Sequence, residues 1–114
     1  MAKGNKAALA NLQEGFKIIK NKKNWIQGYL NDLEATGAEE GEPSKFCAVG
    51  VTEFVDGKGE DRALEYLDQA TEELFGSKQD WFSVVDANDH GTRKTAHARV
   101  VRVFKRAIQL AKGA

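Results

Sequence analysis

The only cysteine of the chain, Cys47, stands in Phe46-Cys47-Ala48-Val49-Gly50-Val51. A second run, Asp86-Ala87-Asn88-Asp89-His90-Gly91, carries groups that could work with it. A thiol attacks only as thiolate, and its pKa falls where it opens a helix and meets the positive end of the helix dipole. A histidine in reach would serve as base, with a carboxamide or carboxylate to orient it. Cys47 with His90, backed by Asn88 or Asp89, therefore has the residue types of a cysteine-dependent enzyme. The opposing reading is structural. A free cysteine commonly packs as a small hydrophobe, and Phe46, Ala48 and Val49 are apolar. These neighbours favour packing, so no catalytic residue is assigned and Cys47/His90 stands as the alternative.

Asn88-Asp89 lies in a stretch with turn chemistry, where such side chains bond the nearby backbone. The pair could also orient a ligand from a loop held on a rigid scaffold. Asp86 and Asp89 are too few for a calcium loop. One cysteine and two histidines, His90 and His97, cannot make a structural zinc site of the usual kind. No metal and no cofactor is expected. Gly57-Lys58-Gly59 lacks the phosphate-loop pattern and is assigned to a turn.

Charge is unevenly spread although the net value is zero. Residues 1–30 hold six Lys against one Glu, residues 31–92 hold 16 Asp/Glu against four Lys/Arg, and residues 93–114 hold seven Lys/Arg and no acid. Basic ends thus flank an acidic middle that can neutralise them. Arg99, Arg102 and Arg106, at i, i+3 and i+7, make a linear basic stripe that could take an anion or nucleic acid. The stripe has no interleaved aromatic row for base stacking, so nucleic acid is possible but not favoured.

No apolar run approaches the roughly 20 residues that span a bilayer, and the basic start lacks the apolar core of a secretory signal. A lone cysteine with no such signal fits the cytoplasm. At 114 residues the chain is expected to form a single domain, 1–114.

The elements that must position these groups follow from periodicity. Ala8, Leu9, Leu12, Phe16 and Ile19, with Gly15, fall in one arc of a helix over 6–22. A second helix is expected over 60–75, with Gly76 as its stop, and a third over 95–112 opened by Thr95. Residues 1–5 are expected to be flexible, and 31–45, which hold the only proline, to form an exposed acidic loop. Trp25–Leu30 has the alternation of a strand, 46–55 fits either strand or helix, and 81–85 fits a buried connection or short strand. Trp25 and Trp81 are expected in the core or covering its ends. The fold class is mainly α with minor β, three amphipathic helices carrying one core.

Trp25-x-x-Gly28, Cys47-Ala48-x-Gly50 and Asn88-Asp89 with a threonine ahead of the last helix occur in that order. In this the chain resembles an uncharacterised domain family of about a hundred residues found in bacteria and their phages. Its members read W-x-x-G, C-A-x-G-A and W-N-D-x-x-x-x-T. The resemblance runs from about Leu9 to Ala111. Ala87 stands where a tryptophan is usual, and Val51 where an alanine is. The resemblance implies that Trp25, Gly28, Cys47, Gly50, Asn88 and Asp89 lie near each other or hold the fold, and that an accessory role toward a host is conceivable. It brings no activity with it.

The expectation is a small cytoplasmic binding module for a protein partner or small ligand, in the host cytoplasm if phage-encoded, with no membrane role. Its expected site is a cleft where Trp25, Gly28, Cys47, Asn88 and Asp89 converge.

Overall fold

A computed structural model of the chain describes residues 5–56 and 62–113. Among these residues six α-helices follow one another: α1 Lys6–Ile19, α2 Asp32–Thr36, α3 Ala48–Val55, α4 Ala63–Gln79, α5 Val84–Asp89 and α6 Arg93–Ala111, with a 3-10 turn at Lys22–Asn24 after α1. The protein is mainly α. The long helices α1, α4 and α6 enclose one apolar cluster, completed by α3 and α5.

Each of the long helices buries the stripe that its spacing dictates. α6 turns Val100, Val103, Phe104 and Ala107 fully inward, three to four residues apart as one helical face requires. α1 buries Ala8, Leu12 and Ile19. Its Gly15 faces α3, where a Cβ would stand 3.3 Å from Val51. Phe16 stacks on Phe104 at 6.2 Å and joins α1 to α6. α4 contributes Ala63, Leu67, Ala70 and Thr71.

Several boundaries differ from the sequence expectation, each for a local reason. Asn5 is held rather than loose: its amide donates to the Ala111 carbonyl at 2.8 Å, and its side chain caps α1 at Ala8. Residues 1–4 and the expected turn at Gly57-Lys58-Gly59 lie outside the described residues. α4 runs through Gly76 to Gln79 and stops at Asp80, whose φ of 60° is left-handed. α6 is capped by Thr92 rather than Thr95, because Thr92 Oγ1 accepts the Thr95 amide at 3.3 Å.

The connectors are not strands. Among the described residues the only strand-like pairings are two isolated bridges, Trp25 to Phe46 and Asn31 to Phe46. Phe46 passes extended between two segments, donating to Asn24 O at 2.8 Å and accepting from Ile26 N at 3.0 Å. Residues 46–55 resolve into α3, with Cys47 as its N-cap. The stretch after Trp81 resolves into α5, capped by Ser83. The expected loop 31–45 opens with α2, capped by Asn31. Asp32 then closes it, accepting from Ser44 N at 3.0 Å and Ser44 Oγ at 2.8 Å. Those bonds, chiefly the one from the Ser44 hydroxyl, hold the Asp32 carboxyl below its ordinary range.

Candidate functional site

Asn88 is the hub of the region that the sequence singles out. It lies on α5, is 1 % exposed, and spends its whole carboxamide inside the protein. Its Oδ1 accepts from Trp25 Nε1 at 2.7 Å and from the Ala48 amide at 3.0 Å. Its Nδ2 donates to Ile26 O at 3.2 Å and to Asp89 Oδ1 at 2.7 Å. A carboxamide has two donors and two acceptor lone pairs, and all are used. One side chain thus ties the Trp25 segment, the start of α3 and α5 together.

Trp25 is fully buried and gripped from α6. Arg93 reaches the Trp25 and Lys22 carbonyls at 3.2 and 3.0 Å and stacks over the indole at 5.1 Å. His97 packs on the indole at 5.3 Å and bonds the Ile19 carbonyl at 2.7 Å. Neither Arg93 nor His97 announces this role in the sequence, since both lie far along the chain on a helix with a basic outer face.

Two glycines complete the framework for different reasons. Gly28 has a φ of 83°, which favours glycine, and its amide donates to Asp89 Oδ1 at 3.0 Å. Gly50 is required by space: a Cβ there would stand 1.8 Å from the Leu30 carbonyl oxygen. That same oxygen accepts the Cys47 amide at 3.1 Å. The close approach anchors α3 against the 25–31 segment.

Cys47 opens α3, as the nucleophile reading requires, and its Sγ accepts the Gly50 amide at 3.2 Å. Burial wins over that capping: it pushes the thiol pKa up, Asp89 and Glu53 push it further, and the Gly50 and Val49 amides offset only part. The thiol therefore stays protonated at neutral pH. His90 does not come to it. Its Nδ1 lies 2.8 Å from Asp86 O, and its ring stacks on Trp81 at 5.0 Å.

Where Cys47 and Asp89 approach the surface, a depression of about 220 Å³ is lined by Gly28, Tyr29, Leu30, Glu34, Val49 and Val85. Cys47 is 8 % exposed there. Asp89 uses Oδ1 in the framework, and its Oδ2 has no hydrogen-bond partner among the described residues. Of the expected site residues, Gly28, Cys47 and Asp89 line the depression, whereas Trp25 and Asn88 lie behind it as support. Tyr29, Leu30, Glu34, Val49 and Val85 were not singled out. Val85 and Asp89 share a face at i, i+4, visible once 84–89 is read as a helix.

The basic stripe of α6 is turned to packing. Arg99 bonds the Ala87 carbonyl at 3.0 Å and the His90 carbonyl, and it stacks on Trp81 at 4.6 Å. Arg102 lies over Phe75 at 5.5 Å. Arg106 pairs with Glu73 at 2.6 Å. Among the described residues no three His, Cys, Asp or Glu side chains gather where a metal ion could sit, and no helix is long and apolar enough to cross a membrane.

No curated protein and no solved structure matches the chain. One family profile does, over residues 5–110, a span that holds Asn5, Trp25, Cys47, Asn88 and all but the last residue of α6. The chain therefore belongs to a family of unknown function, DUF6197.

Proposed function

We propose that the protein is a small binding module of the cytoplasm, engaging a partner through the depression beside Asp89. The observation that carries this reading is the division of labour around Asn88. The buried polar groups are consumed by one another, while the outward groups are Asp89 Oδ2, unpartnered among the described residues, and the half-exposed side chains Tyr29 and Val85. Exposed apolar groups beside a fixed polar one are what a binding surface needs. If the chain is encoded by a phage or mobile element, the partner is a host factor. A cysteine enzyme has less support, since the thiol is held protonated and His90 is engaged with Trp81 and Asp86. Anion binding along α6 has less support too, because Arg99, Arg102 and Arg106 are taken up by Trp81, Phe75 and Glu73.

The test is a backbone amide map of the folded protein, recorded while pooled short peptides of cationic, neutral and acidic character are added. The reading expects shifts clustered at Gly28, Val49, Val85 and Asp89, lost in Val85→Glu. Shifts scattered elsewhere, or none, would overturn it.

A further inference from the structure

The chemistry of the depression points to one class of partner. Its lining joins apolar side chains, Tyr29, Val49 and Val85, to two carboxylates, Asp89 and Glu34. Neither carboxylate forms a salt bridge with a lysine, arginine or histidine among the described residues. Asp89 is also fixed in place, because Gly28 N and Asn88 Nδ2 both hold its Oδ1. An acceptor held in position before binding loses little freedom on binding. The neighbouring thiol is uncharged and adds nothing that would repel or replace a cation.

Size separates a protein partner from a free small molecule. Small-molecule pockets commonly enclose about 300–1,000 Å³, and this depression has about 220 Å³. It suits a single side chain. Tyr29 and Val85 are 47 and 46 % exposed and extend the contact beyond the depression onto the surface, where aromatic and apolar groups form the centre of protein interfaces.

We infer that the depression receives a lysine or arginine side chain of another protein, its charge meeting Asp89 and Glu34 and its apolar neighbours covering Tyr29 and Val85. This rests on the binding-module reading and names the partner's chemistry. The expected strength for one side chain and its flanks is weak, and it falls with added salt because the charge pair is near the surface.

The experiment compares three short acetylated and amidated peptides with central leucine-arginine-leucine, leucine-glutamine-leucine and leucine-glutamate-leucine, titrated into the intact protein with amide shifts as readout. The arginine peptide should shift Gly28, Val49 and Asp89 and bind roughly tenfold more tightly than the glutamine one. Asp89→Asn keeps an oxygen for the Gly28 amide and removes the charge. It should abolish that preference while leaving the fold's amide pattern in place. Equal binding of all three peptides at the depression would overturn the cation inference and leave the binding reading standing. Absence of binding by every peptide would overturn both.

Discussion

Replacing Asn88 by alanine strands the Trp25 indole N–H, the Ala48 amide and the Ile26 carbonyl at once. Each buried polar group left without a partner costs about 1–3 kcal/mol, so Asn88→Ala should lose about 3 kcal/mol or more, read as a lower urea midpoint at unchanged slope. The same scale defines Cys47. Its thiol should react with a mild disulfide reagent at neutral pH far more slowly in the folded protein than in urea, because burial holds it protonated and 8 % exposed. Fast labelling of the folded chain would contradict this. The sequence points to both residues, yet Asn88 acts through Trp25 and Ala48, 63 and 40 positions away, which spacing cannot show.

At the scale of elements, α3 depends on the absence of a side chain at Gly50. Gly50→Ala drives a Cβ into the Leu30 carbonyl, a backbone atom that cannot rotate aside. The change should cost about 3 kcal/mol, the upper end of overpacking, measured by thermal or urea unfolding. α5 depends on Asp68, whose Oδ1 accepts the Val84 amide at 2.8 Å. Desolvation raises the Asp68 pKa, and Asp86 adds to it. A carboxyl with a raised folded pKa contributes stability that is complete below its ordinary value of 3.8 and is lost as pH rises through the folded value. Asp68→Asn keeps an oxygen for Val84 and removes the charge. It should raise Tm at pH 7, with the gain shrinking toward zero near pH 3. A gain that grows toward low pH would contradict the sign.

The long helices were legible in the sequence because α1, α4 and α6 each repeat an apolar stripe over several turns. The short ones were not, since five, eight and six residues give too little period to separate helix from strand or loop. Capping signals were present all the same. Asn31 precedes Glu34 by three, and Ser83 precedes Asp86 by three, the spacing of a helix start with an acid in its first turn. Asn31 Oδ1 accepts the Glu34 amide as that spacing implies, and Ser83 Oγ accepts the Val85 amide, one residue earlier. Cys47 gave no such signal, because sulfur is a weak acceptor and cysteine is not among the usual caps.

At the scale of the whole molecule, one ion pair among the described residues joins the basic C-terminal segment to the acidic middle, Arg106 with Glu73. The remaining arginines of the stripe are spent on rings and carbonyls. The acidic middle keeps Asp89 and Glu34 at an apolar depression on the side that Asn88 braces. We propose that this face binds a partner and that the thiol is not the agent. Cys47→Ser tests both at once, because serine caps a helix at least as well as cysteine and cannot replace it as a thiolate. In the amide map of this variant, peptide addition should shift Gly28, Val49, Val85 and Asp89 as in the unmodified chain. Loss of those shifts from a protein that remains folded would contradict the account.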